Sequence, residues 1–379
     1  MYYKENNVFD EALERIRFCY DNCDDIIVSM SGGKDSAVLF NLALTVAKER
    51  KRLPLKVFWL DQEAEWQSTV DYMEKIMRMP EVKPYWFQIP FEFPNNLSNN
   101  NSSLLVWDEA ASDKWLHPKA DIAIKVSPVD VSGQDRDKAF YTLIQQLPSY
   151  CTDAKHCGVL VGMRITESLN RKMTIAHSNA KFKGITWCRS MIKNTRVFYP
   201  IYDFTNDDIW TALGKNHWEY NKIYDYQYQW GLPKTQMRVS ALIHETSWHA
   251  IEMLQEFERD TYNKFVARIN GVSTFNHAFD EGGIIPKELP FAFKDWKEYR
   301  DYLLLHIVKP EHWEHFRNEW KGQDGDDWYK VHVKEIILND TCGTINSNKK
   351  ASVRKDQKKS KYYEHGKEQF DKYMEDKND

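Results

Sequence analysis

The sequence predicts an α/β protein, a parallel sheet with flanking helices followed by a mainly α-helical C-terminal region. Three observations carry that prediction. Apolar runs around Ile26-Ile27-Val28 and over Lys56–Leu60 are each followed by a helical pattern, the alternation of an open parallel sheet. The first run enters its helix through a glycine pair, Gly32-Gly33. Beyond Gly231-Leu232-Pro233 the strand patterns stop and helical ones take over.

Phe9, Leu13, Ile16 and Tyr20 recur at helical spacing, so a helix leads into the first strand. In Ser36–Arg50, Ala37, Leu39, Phe40, Ala43, Leu44 and Ala47 form the broad apolar stripe of a helix packed on a sheet. Lys56–Leu60 is the second strand and Thr69–Met79 its helix, ended by Pro80. Residues 91–135 break the alternation with the polar tract Asn95–Ser103 and then Trp107, Trp115 and Pro118. They read as an insertion, either a lid or specificity loop or a disordered segment. Strands resume at Val159–Met163 and Phe198–Ile201, and Thr205 with Asp207-Asp208 caps a helix beginning near Ile209. Helices are then expected at Ala241–Phe257, Thr261–Arg268, Trp296–Val308, Glu311–Trp320 and Tyr329–Asn339. The organisation expected is therefore a ligand-binding domain over 1–230, a helical domain over 231–346 and a mobile basic tail over 347–379.

A formal charge of −4 gives no global attraction to nucleic acid, so any such contact needs a local patch, for which the basic tail is the candidate. The N-terminus lacks a basic segment followed by an apolar one, and no run of about 18 apolar residues occurs. The chain reads as cytoplasmic, with no membrane partner. Cys19, Cys23, Cys151, Cys157, Cys188 and Cys342 are too dispersed for a disulfide framework, and their spacings complete no four-ligand zinc set. Each reads as a buried free thiol, with Cys188, between Trp187 and Arg189, the one alternative as a sulfur carrier. Trp107 and Trp115 can stack on a base or fill the core.

Ser29 to Ser36 carries the chemistry. Gly32 and Gly33 remove side chains so that backbone N–H groups can face an anion, and the following helix adds the positive end of its dipole. Lys34 supplies a point charge, Ser31 and Ser36 hydroxyl donors, while Asp35 caps or orients the loop. The glycine spacing is not that of a Walker A loop. Ser31-Gly32-Gly33-Lys34-Asp35-Ser36 instead resembles the PP-loop of the ATP pyrophosphatases and of the phosphoadenosine phosphosulfate (PAPS) reductases. Further segments follow in that superfamily's order: Val57–Asp61, Gly162-Met163-Arg164-Ile165-Thr166-Glu167-Ser168 with Arg171, Tyr199–Trp210 and Tyr220–Asp225. The resemblance implies a Rossmann-like, adenine nucleotide α-hydrolase-like sheet over residues 26–225. One departure stands out. Where sulfonucleotide reductases carry a catalytic Glu-Cys-Gly-Leu-His, the nearest segment is Asp340-Thr341-Cys342-Gly343-Thr344. Gln236-Met237-Arg238 and Ile336–Asp340 are similar to the subgroup that includes the immunoglobulin-binding regulator A proteins.

The resemblance implies an adenine nucleotide, ATP with Mg2+, cleaved between its α and β phosphates to adenylylate an acceptor that the sequence does not name. Ser29, Ser31, Gly32, Gly33, Lys34, Asp35, Ser36, Asp61, Gly162 and Glu167 are the candidate nucleotide contacts, with Lys34, Arg164 and Arg171 the candidate catalytic cations. Asp61, Glu63 and Glu65 crowd a strand end, where carboxylates either share a cation or face solvent. Asp61 and Glu63 are the magnesium candidates. PAPS, processed by a reductase or sulfotransferase, is the alternative nucleotide. A regulator that binds nucleotide without turnover and acts through a protein partner or DNA is the alternative class.

Overall fold

A computed structural model describes residues 7–95, 103–134, 136–176, 181–189, 192–244, 250–269, 286, 288–337, 346 and 349. The Cys342 segment and, apart from Lys349, the basic stretch 347–379 lie outside these residues. The chain divides into two compact units, one of residues 1–94 with 103–270 and one of 95–102 with 271–379.

The first unit is built on five strands in the order β3-β2-β1-β6-β7. They are β1 (Asp25–Ser29), β2 (Leu55–Leu60), β3 (Val82–Phe87), β6 (Cys157–Val161) and β7 (Thr195–Phe198), and every neighbouring pair is parallel. Helices α1 (Val8–Asn22), α2 (Lys34–Glu49), α3 (Gln67–Met77) and α6 (Asn206–Lys215) flank the sheet. Their apolar stripes meet the strands in one core that includes Ile16, Val28, Leu39, Val57 and Phe198. The crossing helices force the strands to be parallel and buried on both faces, which is why they read as near-continuous apolar runs. The strand order reverses between β1 and β6: β2 and β3 are added on one side of β1, β6 and β7 on the other. Ligands bind at such a switch, beyond the carboxyl ends of the strands.

The predicted insertion contains an antiparallel pair, β4 (Phe91–Pro94) with β5 (Ser103–Val106), followed by α4 (Arg136–Gln146). Trp107 is fully buried there, and its indole N–H donates to the carbonyl of Asp61 at 2.8 Å, so it is core and not a stacking platform. Thr205 caps α6 as its sequence predicts, in a reciprocal capping box with Asp208.

The expected boundary at Gly231 is corrected by packing. After α7 (Ile223–Gln229), the segment through Ile243 stays in the first unit, with Met237, Leu242 and Ile243 buried and Leu242 N–H donating to the carbonyl of Ala64. Helices α8 (Ala250–Phe257) and α9 (Arg259–Arg268) follow. Glu258, between them, caps α3 through the N–H groups of Gln67 and Ser68 at 2.7 and 2.9 Å, a task that Trp66 at the cap position cannot perform. The first unit therefore ends near residue 270. The second unit holds α10 (Trp296–His306), α11 (Pro310–Glu319) and α12 (Asp326–Ile337) around Trp296, Leu303, Phe316, Trp320 and Val333. No helix among the described residues is long and apolar enough to cross a membrane.

Candidate active site

Ser29 closes β1, and Met30 to Gly33 turn the chain into α2. Gly32 has φ +71°, and a Cβ there would lie 2.8 Å from Thr69 Cγ2, so both conformation and space demand glycine. Gly33 occupies the cap position of α2 without a side-chain cap of its own, and Lys34, Asp35 and Ser36 of the first turn line a cleft. The turn is closed internally: Ser36 Oγ donates to the carbonyl of Gly33 at 2.8 Å and lies 3.4 Å from Ser31 N and Ser31 Oγ.

The cleft has a volume of about 540 Å³ and gathers Ser29, Ser31, Gly33, Lys34, Asp35, Ser36, Gly162, Arg164, Glu167 and Arg171. Gly32 stands just behind it. Gly162 follows β6, and a Cβ on it would come within 3.1 Å of the Asp35 carbonyl and Ser36 N, so the β6 loop rests directly on the glycine turn. That contact brings Arg164 to Asp35, with Nε 2.5 Å from Oδ1. Its other nitrogens reach Thr166 Oγ1 at 3.0 Å and Glu167 at 3.2 Å. Glu167 also pairs with Arg171, which is half-exposed. Asp35 thus orients the loop through Arg164, as an anion beside a phosphate site should.

Lys34 is buried. Its ammonium donates to the carbonyl of Met237 at 3.2 Å, lies 3.6 Å from Asp35, and sits 5.2 Å from the centre of the Tyr224 ring. Burial holds its pKa below the ordinary lysine value, Asp35 opposes that fall, and Arg164 and Arg238 add to it.

Several residues of the site had no local signal as such. Tyr224 Oη accepts from Lys34 N–H at 2.9 Å, capping the first amide of α2. Asn221, fully buried, donates to the carbonyl of Gly32 at 3.1 Å and to Thr69 Oγ1 at 2.8 Å, clamping the turn from behind. Lys234, Thr235, Met237 and Arg238 reach the cleft from the segment after α7. The Tyr220–Asp225 and Gln236–Arg238 stretches carried a family resemblance; what they touch was visible only in the fold.

The structure does not bring Asp61 and Glu63 into the cleft. Both are fully buried. Asp61 accepts from Trp86 Nε1 and Gln88 Nε2, each at 2.9 Å, and from Glu63 N at 3.0 Å, with His117 3.5 Å away. Glu63 is taken by Arg268 Nε at 2.7 Å and Trp107 N at 2.6 Å. Their lone pairs are spent on protein donors, so the expectation that these acids bind nucleotide or magnesium is corrected: they stitch the insertion and α9 to the end of β2. Glu65 is buried as well, and burial together with Asp61 pushes its carboxyl well above the usual range. Among the described residues no cluster of three or more His, Cys, Asp or Glu forms a metal cage. The acids that do line the cleft, Asp35 and Glu167, are both engaged by arginine. The residues present therefore do not fit a protein-held magnesium ion, and no step below is assigned to one.

Residues 25–230 match the family model described as phosphoadenosine phosphosulfate reductase domain. The chain belongs to this family. It is also 25% identical over 326 residues to the uncharacterized protein YbdN of Escherichia coli (strain K12), a match covering 83% of this chain and 78% of that one. Among solved structures it is similar to the FMN adenylyltransferase of Candida glabrata in complex with FMN and an ATP analogue, at 15% identity and a TM-score of 0.35, covering 60% of this chain and 65%, just under two thirds, of that one. A PAPS reductase from Candida auris aligns at 11% identity and a TM-score of 0.33, over 59% of this chain and 93% of its own.

In this PAPS reductase domain the five described cysteines are buried, form no disulfide with one another and lie outside the cleft. Burial raises every one of their thiols, to about 11 for Cys23 and about 12 for Cys151. Arg196 opposes that rise at Cys188 without reversing it. A thiolate is needed for nucleophilic sulfur chemistry, and none of these positions favours one.

Proposed function

We propose that the cleft binds an adenine nucleotide, ATP in the first place, and that the domain transfers its adenylyl group. A nucleophile on the acceptor attacks the α-phosphorus, the bond from that phosphorus to the bridging oxygen breaks, and the electron pair departs with pyrophosphate. Backbone amides of the turn and the Lys34 ammonium hold the departing phosphates, while Arg164 and Arg171 offset charge at the reacting centre. The observation carrying this reading is the convergence of the N-terminus of a 16-residue helix whose cap residue is a glycine, a buried lysine and two arginines on one cleft. The immunoglobulin-binding regulator A-like subgroup is the one whose resemblance rests on Gln236-Met237-Arg238, two residues of which line this cleft, and on Ile336–Asp340.

Membership of the PAPS reductase domain family favours a second reading, a sulfonucleotide held in the same cradle. Its nucleophilic thiol would have to be other than the five buried ones, which leaves Cys342. Product analysis separates the readings. Purified protein is incubated with ATP and magnesium, and separately with PAPS and a thiol reductant, following pyrophosphate, AMP and adenosine 3′,5′-bisphosphate. Pyrophosphate and AMP from ATP, with water standing in for the acceptor, are the expected result. Bisphosphate from PAPS alone would replace the adenylylation reading, and saturable ATP binding without product would leave two readings, a missing acceptor or a nucleotide-sensing regulator.

A further inference from the structure

We infer that Arg238 is the specificity-determining contact of the cleft, recognising the phosphates beyond the first and so favouring a polyphosphate chain over a monophosphate. The inference rests on the nucleotide reading above. Five cationic side chains line the cleft, those of Lys34, Arg164, Arg171, Lys234 and Arg238, against two carboxylates, Asp35 and Glu167. An excess of three positive charges is more than a single phosphate ester, carrying about two negative charges, neutralises.

The cations are not equivalent. Arg164 and Arg171 are paired to the two acids, Lys34 is held by Met237 and Asp35, and exposed Lys234 lies 3.8 Å from Asp207. Among the described residues, Arg238 pairs with no carboxylate. Its main chain, in contrast, is tied down. The Arg238 carbonyl accepts from buried Gln227 at 2.7 Å, the preceding carbonyl takes Lys34, and Leu242 N–H is anchored on Ala64 at 2.7 Å. A guanidinium on a fastened backbone loses little freedom when it meets a ligand, and its planar fork suits phosphate oxygens.

The Arg238 charge is also felt at Lys34, so two like charges face the same space. An anion drawn between them relieves that repulsion. Lys34 stands at the head of α2, where the turn's amides gather one end of the phosphate chain; Arg238 reaches in from the segment after α7. An anion long enough to meet both gains from both, and a monophosphate does not.

Isothermal titration of the full chain and of Arg238→Gln with ATP, inorganic pyrophosphate and AMP tests this. Arg238→Gln should weaken ATP and pyrophosphate by about tenfold or more while leaving AMP within about twofold, and Arg238→Lys should recover part of the loss. Circular dichroism confirms that the variants are folded. Unchanged ATP affinity in Arg238→Gln, with binding still lost in Lys34→Ala, overturns the role of Arg238 and leaves the nucleotide reading standing. An equal loss for AMP also overturns it, because the effect would then not follow chain length. Failure of the unmodified protein to bind any of the three overturns both.

Discussion

Lys34→Ala is expected to lower nucleotide turnover by about two to three orders of magnitude without lowering thermal stability. The two halves of that expectation have one cause. The Lys34 ammonium is buried, and burial depresses its pKa below that of the unfolded chain, with Asp35 compensating only in part. A lysine with a lowered folded-state pKa is, near neutral pH, a charge that the fold disfavours relative to the unfolded chain; that cost fades as pH rises and the group neutralises. Removing the group removes the cost, so the melting temperature should hold or rise. The same depression makes a second signature. Turnover should fall on the alkaline side at a pH below the ordinary lysine value, as the ammonium that holds the leaving phosphates is lost. Pyrophosphate release measured beside thermal denaturation, from neutral to alkaline pH, checks all three outcomes. A variant that is both slow and unstable would show instead that Lys34 supports the fold.

Arg164→Ala should damage stability and function together. The guanidinium is buried and holds Asp35 at 2.5 Å and Glu167 at 3.2 Å, so its loss leaves Asp35 only Lys34, 3.6 Å away, and Glu167 only Arg171 as cationic partners. Breaking a buried pair so that one charge is left uncompensated costs about 3–5 kcal/mol, an upper bound here because Lys34 and Arg171 remain, and the under-paired charges are of the sign that repels phosphate. Denaturant unfolding should report a loss within that bound, and ATP affinity should fall. Arg164→Ala combined with Asp35→Asn removes one under-paired charge and should recover part of the stability but not the turnover. Full recovery of turnover in the double variant would rule out a catalytic part for Arg164.

How much of this site could be read from residues in order depended on how local each contact is. The glycine turn was legible because Ser31 to Ser36 is contiguous and its chemistry is carried by the backbone. The α6 cap was legible for the same reason, with Thr205 and Asp208 three residues apart. Arg164 and Glu167 are likewise within one turn of chain. Asp61 was expected at the ligand because the resemblance puts an acid at that strand end, whereas Trp86, Gln88 and His117 arrive from other segments to enclose it. Glu63 met its partner 205 residues downstream, at Arg268. Strand β3 escaped notice because it carries Pro84, which a central strand rejects; β3 is an edge of the sheet and accepts it. The segment after α7 has no periodicity at all, and its importance lies in reaching Lys34, 203 residues away in sequence.

The central claim is that the glycine turn and Lys34 receive the phosphates of an adenine nucleotide. The most direct measurement is a crystal structure of the protein with the non-hydrolysable analogue AMPCPP. Density for the terminal phosphates on the amides of Ser31 to Ser36, with the Lys34 ammonium moved from the Met237 carbonyl onto phosphate oxygen, is the predicted result. An analogue bound away from the turn, or Lys34 still on Met237 beside an occupied cleft, would contradict it.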